Sequence, residues 1–441
     1  MFLRLGALCA VIFFVSPATL FAAEQVTLVD AVKRALVANP AVHSAKAASD
    51  AAEAGRKSAR GAFGPTLTAS YGYSRVLQES QPVQRTDTTP YGGMFAAVIS
   101  FNQNLFTGFK LLSTYQKAAL QAESQQLNLR LTQLNLVANV QSAFLSYLQA
   151  LDNVRSQRDS LTRLKGQLQI TKASFDVGLR PHLDVLQAEV DVSRAESMLI
   201  TAENSRETYK AQINTLLGLP VTANLEYVGV LSPVPFHIGL ESCLDTAYRQ
   251  RPDLGIAAKA VAIAGKDVKI VQSQYYPPIS AYYDTTGIGD NLGLRHVHRD
   301  GYRTNRWEVG VMGTWTVFEW GRTFYADQQA RFVESQMRAD EASLKLNAGF
   351  DVKSKLLAVR DAEKLISVAT KGLEQAQEAY KQAQARYRAQ VGTNFDVLDA
   401  SANLTAAETT LTGAKAGYLT ALSALYAAMG ELKPDLGLPG K

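Results

Sequence analysis

The chain has 441 residues, of which 47% are hydrophobic, and its 45 basic and 40 acidic side chains leave a formal net charge of +5. Charges this nearly balanced leave no electrostatic footprint for nucleic acid. The absence of a nucleophile elbow, phosphate loop, HExxH or paired-Cys motif leaves catalysis, metal and cofactors without support.

Residues 1–23 read as a secretory signal peptide: Arg4 precedes an apolar run from Leu5 to Val15, and small residues follow at Ala22 and Ala23. Cys9 lies within that run, so Cys243 is the only cysteine left for the exported chain, which therefore has no intramolecular disulfide. Cys243 reads as a small apolar residue on its helix. No Cys stands at the cleavage point, so a lipoprotein anchor is not expected. Beyond the signal no apolar run reaches about 18 residues, which predicts no spanning helix and leaves a β-barrel, a peripheral contact or no membrane at all.

Residues 24–220 form a first unit. A helical stretch from about Thr27 to Ala62 breaks at Asn39-Pro40 and stops at Gly64-Pro65. Period-two alternation follows, with Leu67, Ala69, Tyr71 and Tyr73 on one face. After a polar interval from Gln78 to Pro90 it resumes as Ala97, Ile99, Phe101, Gln103 and Leu105. This predicts a strand pair over about 66–106. From Lys110 to Phe175 no proline occurs and Gly166 is the only glycine, while Leu127, Leu131, Leu134, Leu145, Leu148 and Leu151 recur at helical spacings. Such a helix spans roughly 100 Å at 1.5 Å per residue, a length that points to coiled-coil packing. A tip at residues 177–182 turns the chain into a shorter helix ending near Gly218 and Pro220.

A proline-bearing segment over residues 221–238 reads as a linker, and residues 239–432 say the same thing again. Leu183-Asp184-Val185-Leu186 recurs as Phe395-Asp396-Val397-Leu398, and the same 212-residue offset carries Pro40 onto Pro252, Pro65 onto Pro277, Tyr71 onto Tyr283 and Gly218 onto Gly430. The second strand pair falls at about 278–318, with Ile279, Ala281 and Tyr283, then Val309, Val311, Gly313, Trp315 and Val317. The second tip falls at 389–394. Trp307 and Trp315 are eight residues apart, about 26 Å along a strand, which suits an aromatic girdle at each face of a bilayer. Phe318, Tyr71 and Tyr283 join that girdle. The tail over 433–441, with Pro434 and Pro439, reads as frayed.

Strands of about ten residues, tilted near 40°, are long enough to cross a bilayer, yet four cannot close a barrel and an open edge in lipid is forbidden. If they span, copies must combine: two would give eight strands and three would give twelve, and only the larger leaves an appreciable lumen.

The ordered series of signal peptide, helix, strand hairpin, long helix, tip and LDVL or FDVLDA helix, given twice at constant offset, resembles the TolC family of outer-membrane channels. The resemblance covers essentially the whole exported chain. It implies an α+β membrane protein in the cell outer membrane: a homotrimer with a twelve-stranded β-barrel in outer-membrane lipid above a periplasmic α-helical tunnel. It further implies a passive exit duct of a tripartite efflux pump or type I secretion system. The partners would be a periplasmic adaptor and an inner-membrane RND or ABC transporter. No enzyme activity, cofactor, metal or nucleic acid enters this expectation.

Asp396 and Asp399, three apart on one helical face, read on their own as first-turn acids favoured by the helix dipole, with Asn394 as the cap. By resemblance they match acidic rings at the tunnel constriction. Asp184 and Tyr387 match the closing network at the tips, with Arg180 a nearby donor. The second tip departs from the family: Gln390 stands where a Gly is usual, and Gly392 stands where an arginine can brace the gate, so Arg386 or Arg388 is the expected substitute. Val177-Gly178-Leu179 and Val391-Gly392-Thr393 resemble adaptor-contacting tips, and on their own they read as chain reversals. His296 and His298, among Arg295, Arg299, Arg303 and Arg306, read as an exposed loop. The rival from another class is a periplasmic coiled-coil scaffold that forms no channel.

Overall fold

The computed structural model describes residues 25–75, 93–294 and 304–436. The signal peptide, the polar interval of the first strand pair, and the loop bearing His296 and His298 lie outside these residues.

The chain begins with a short strand β1 (Gln25–Val26) and helices α1 (Leu28–Ala38) and α2 (Pro40–Gly61). Thr27 and Asp30 form a capping box that starts α1. Asn39 ends α1 and caps α2, whose first residue is Pro40, where a missing N–H costs nothing. Strands β2 (Thr66–Ser74) and β3 (Met94–Phe106) follow, then α3 (Lys110–Asp176) and α4 (His182–Leu216). The second round is β4 (Glu226–Tyr227), α5 (Leu240–Gln250), α6 (Pro252–Gln272), β5 (Ile279–Gly289), β6 (Thr304–Gly313), α7 (Arg322–Arg388) and α8 (Asn394–Met429).

The duplication reaches the backbone torsions. Four positive-φ positions recur at the 212-residue offset: Gly108 with Trp320, Phe109 with Gly321, Gly178 with Gln390, and Gly218 with Gly430. The long helices α3 and α7 each run 67 residues. Equivalent tertiary bonds recur too, with different donors: Asn39 Nδ2 donates to the Leu216 carbonyl at 2.8 Å, and Arg251 Nη1 donates to the Ala428 carbonyl at 3.1 Å.

The four long strands form one antiparallel sheet in the order β2-β3-β5-β6. Both hairpins hold the same register, since Thr68 lies opposite Ser100 and Ser280 lies opposite Met312. Alternation sorts the sheet into two faces. Leu67, Ala69, Tyr71, Ile99, Phe101, Tyr283, Trp307, Val309 and Val311 share one face, and Thr68, Ser70, Ser100, Asn102, Asp284, Arg306 and Glu308 share the other.

The structure corrects the sequence reading at four places. A register shift between Asn104 and Phe106 puts Phe106, not Leu105, beside Ile279, so Leu105 leaves the alternating face. Strand β6 stops at Gly313, so Trp315, Val317 and Phe318 lie beyond it. Their counterparts Gln103 to Phe106 remain in strand because β5 pairs with them, whereas β6 is the sheet edge. The segment read as a linker contains β4, which pairs in parallel with β1, and its Tyr227 is fully buried with its hydroxyl on Asn214 Oδ1 at 2.5 Å. The tail is packed rather than frayed as far as Leu436, which is fully buried, and the Lys433 carbonyl accepts from Gln141 Nε2 at 2.6 Å.

The main core gathers α1, α5, the middle of α3 and α7, and the far ends of α4 and α8 around Val140, Phe144, Tyr227, Val352, Leu419 and Leu425. Cys243 is buried in it as a free thiol. Phe144 meets the Tyr227 ring edge-on at 5.9 Å. Phe144→Ala would cost about 3–5 kcal/mol through the cavity it leaves. Among the described residues no helix is long and apolar enough to cross a membrane.

Candidate functional site: the paired helix tips

At the end farthest from the sheet the two helical hairpins turn side by side. The first turn follows α3: Gly178 sits at φ 79°, its N–H donates to the Phe175 carbonyl at 2.8 Å, and Leu179 N–H donates to Ser174 at 2.9 Å. The second follows α7 with equivalent bonds, Gln390 to Tyr387 at 3.1 Å and Val391 to Arg386 at 3.0 Å. Gln390, however, holds φ 63° with a full side chain. A non-glycine residue in this region costs roughly 1–2 kcal/mol, so the second tip is the strained copy.

What holds the tips together is a buried polar network between α3 and α8. Asn394, 1% exposed, accepts from Gln167 Nε2 at 2.9 Å and from Thr171 Oγ1 at 3.2 Å. Its own amide donates to the Asp184 carbonyl at 3.1 Å. The Thr171 and Tyr387 hydroxyls meet at 3.3 Å. Arg180 closes the cluster from the first tip: Nη2 donates to the Gly392 carbonyl at 2.9 Å and the guanidinium lies 4.8 Å from the Tyr387 ring centroid. Farther along the seam Arg163 donates to Thr405 Oγ1 at 2.9 Å and pairs with Glu408 at 3.4 Å.

Of the expected gate residues, Arg180 and Tyr387 therefore meet. Asp184 joins through its main-chain carbonyl rather than its carboxylate. The arginine brace across the tips comes from Arg180 instead of Arg386 or Arg388, and it grips the carbonyl of Gly392, its own counterpart in the repeat. Gly392 is itself buried, and a Cβ there would sit 3.1 Å from Arg386 Cβ. Val177, Leu179 and Val391 are exposed, whereas Thr393 is the N-cap of α8, the role first given to Asn394.

Asp396 completes the α8 capping box. Its carboxylate accepts from the Thr393 N–H at 2.9 Å, and Thr393 Oγ1 accepts from the Asp396 N–H at 3.2 Å. The Thr393 N–H holds the Asp396 carboxyl below the usual carboxylate range, with the Thr393 hydroxyl and Arg386 acting the same way. Asp399 accepts from Asn403 Nδ2 at 3.1 Å. Both acids are exposed. Asp399 also lines a groove of about 410 Å³ between α4 and α8, with Asp191, Arg194, Met198 and Phe395.

The aromatic positions divide. Tyr71, Tyr283 and Trp307 share the apolar face of the sheet in neighbouring rows, while Trp315 and Phe318 lie past its edge. Phe318 packs at 5.0 Å on Trp320, and Phe106 meets Phe109 at 5.6 Å. Trp320 and Phe109 extend the aromatic zone to the sheet-to-helix junction.

Sequence reasoning missed Gln167 and Thr171. The signal was present: Ser160, Leu164, Gln167 and Thr171 keep the seam spacing of α3, so three of these four seam positions carry an amide or hydroxyl group.

A family model described as outer membrane efflux protein matches residues 31–219 and 243–431, one span in each half. Outer membrane protein TolC of Vibrio cholerae is 24% identical, covering 89% of this chain and 88% of its own length. Outer membrane efflux protein BepC of Brucella suis is 26% identical over 95% and 88%. The crystal structure of the CmeC outer membrane channel of Campylobacter jejuni superposes with a TM-score of 0.81 at 18% identity, covering 91% of this chain and 85% of that one.

Proposed function

This chain belongs to the outer membrane efflux protein family, an outer-membrane channel family without enzymatic chemistry, and from that premise we propose that three copies form a passive exit duct. Each copy contributes four strands to a twelve-stranded barrel, and the long helices continue it as a tunnel into the periplasm. A periplasmic adaptor docks on the exposed tip residues Val177, Leu179 and Val391, and an RND or ABC transporter in the inner membrane supplies the energy. Efflux is favoured over protein secretion by two relatives in Pseudomonas putida, the outer membrane proteins of an antibiotic efflux pump and of a toluene efflux pump.

The observation that carries this reading is the sheet: one apolar face, one polar face and two unpaired edges, joined to 67-residue helices. A soluble scaffold has no use for an apolar strand face as exposed as this one, where Leu67 is 71% and Val309 and Val311 are each 66% exposed. An open edge cannot remain unpaired in lipid, so copies must close the ring.

The gate lies at the tips. Asp396 and Asp399, two per copy, set six carboxylates around the axis, which attract cations and repel one another. The Arg180, Tyr387 and Asn394 cluster keeps the two hairpins of each copy together at rest. The test is extraction followed by recording: the protein should leave outer membranes only with detergent, as a trimer, and form low-conductance pores in planar bilayers. A soluble protein after lysis, or a trimer that conducts nothing, would overturn the reading.

A further inference from the structure

Thr66, Thr68, Ser70 and Gly72 of β2 and Ser100 and Asn102 of β3 put short side chains on the polar face of the sheet, while Asp284, Arg306 and Glu308 charge it on β5 and β6. Among the described residues of that face Tyr282, the fourth residue of β5, is the only aromatic one. Its ring does not stand off the sheet. The Cα partner of Tyr282 on β6 is Gly310, and a Cβ built on that glycine would sit 2.7 Å from the Tyr282 hydroxyl oxygen, 2.8 Å from Cζ and 2.9 Å from Cε1. The ring therefore lies across the glycine, in space that any other residue would fill with its own side chain. A glycine inside a strand marks this kind of close approach. The Tyr282 hydroxyl donates to Glu308 Oε1 at 2.9 Å, and Arg306 Nη2 in turn donates to Glu308 Oε2 at 3.0 Å.

The repeat supplies an internal control. At the 212-residue offset Tyr282 corresponds to Ser70, Gly310 to Val98 and Glu308 to Ala96, and Ser70 lies opposite Val98 as Tyr282 lies opposite Gly310. The hairpin without the aromatic ring thus also lacks the glycine that would receive it and the carboxylate that would hold it. Ring, cradle and anchor occur together in one hairpin and are absent together from the other.

On the reading of the protein as a duct, the polar face lines the bore. Eight strands leave an interior just wide enough for side chains to fill, so in a twelve-stranded ring three tyrosines standing upright at one level would take up much of the width. We propose that Tyr282 sets the size limit for solutes crossing the sheet, and that Gly310 and Glu308 keep the bore wide by holding its ring flat against the wall. Tyr282 acts by the space it takes or leaves, at the helix end of the sheet and far from the paired tips. Its effect falls on bulky solutes and spares small ones.

Size-graded labelling in intact cells, with the full-length chain carrying Cys243→Ser, tests this. Single cysteines replace Thr286, on the loop side of Tyr282, or Ser280, on the helix side, both on the polar face. A small maleimide and maleimides bearing polyethylene glycol chains of increasing length are added outside the cells. Gly310→Val fills the space under the ring and should lift it from the wall. Labelling of Ser280→Cys by the largest reagent that reaches it in the parent should then slow at least tenfold, while the small maleimide and all labelling of Thr286→Cys keep their rates. Adding Tyr282→Ser to Gly310→Val rebuilds the Ser70 and Val98 pair of the first hairpin and should restore the parent rate. Glu308→Ala, which frees the hydroxyl without crowding the strand, should slow the same reagent at least twofold. Unchanged labelling of Ser280→Cys in either Gly310→Val or Glu308→Ala would overturn the proposal. So would a loss in Gly310→Val that Tyr282→Ser does not recover, since a distorted strand would then be the cause. A parent in which even the small maleimide fails to reach Thr286→Cys would instead overturn the reading of the sheet as a duct.

Discussion

At Gly178 and Gln390 the backbone makes the same left-handed turn, and at His182 and Asn394 the two return helices start at equivalent positions, yet the two tips are held by different forces. The first has a glycine that adopts its φ freely, an exposed Phe175 whose ring lies tilted 5.2 Å from that of His182, and a surface ion pair of Lys172 with Glu189 at 2.7 Å. The second carries backbone strain at Gln390 and a fully capped helix, and it is tied into α3 by buried hydrogen bonds. The two halves share one backbone, and the buried polar latch runs between them, from Gln167 and Thr171 of the first to Asn394 of the second. Where Gln167 and Thr171 receive Asn394, the equivalent positions are Ala379, Ala383 and His182, which do not repeat the amide and hydroxyl set. The seam between the two halves of the chain is therefore latched at the tip.

The largest expected effect comes from breaking the latch. Asn394→Ala leaves Gln167, Thr171 and the Asp184 carbonyl without their shared partner in a buried site, costing about 2–4 kcal/mol locally. Amide exchange near residues 167–171 and 387–394 should accelerate at least tenfold and resting conductance should rise. His182→Ala, at the exposed counterpart, should cost less than about 0.5 kcal/mol. Equal effects at both sites would erase the contrast between the tips.

Arg180→Ala should come next, at about 1–2 kcal/mol, since it loses a charge-assisted bond to Gly392 and a cation–π contact with Tyr387. Arg180→Lys should recover only part, because an ammonium lacks the planar fork. Leakage in single-channel records is the measurement, and full recovery by Lys would reduce the role to charge.

A smaller effect of opposite sign is expected at the strained turn. Gln390→Gly should stabilise the second tip by about 1 kcal/mol, and Gly178→Ala should destabilise the first by a similar amount. Local exchange rates check both, and a destabilising Gln390→Gly would mean that its side chain contributes more than its torsion costs.

The smallest effect is acid fraying of α8. A carboxyl whose folded pKa is depressed contributes stability present above its unfolded value, near 4, and lost as pH falls through the folded value. Exchange at residues 394–397 should therefore quicken below about pH 4 in the wild type and stay flat in Asp396→Asn. The first turn of α4, with no side-chain cap, should show no such step.

Much of the fold was legible because a period changes visibly from two to 3.6 and because the offset repeats every break: Asn39-Pro40 with Arg251-Pro252, and Gly218 with Gly430. The edge of β6 was not legible, since Trp315 and Val317 alternate as a strand whether or not another strand is there to pair. Nor was the packing of β4 and Leu436, where proline-rich composition hides a buried tyrosine and leucine. At the tips the acids and Arg180 stood out by type and spacing. Gln167, Thr171 and Asn394 did not, because an amide on a long helix looks solvated until the facing helix is placed. Thr393 took the cap from Asn394 because only its neighbour three residues on, Asp396, completes the reciprocal box.

The central claim is that the second tip places a ring of carboxylates across a closed aqueous path. The direct test is single-channel recording of the purified trimer with a trivalent cation added on the tip side. The comparison is wild type against Asp396→Asn with Asp399→Asn, which removes both charges while leaving Thr393 to cap α8. The account predicts block of the wild type at concentrations at least a hundredfold below any that affects the variant. Equal block of the two channels would contradict it.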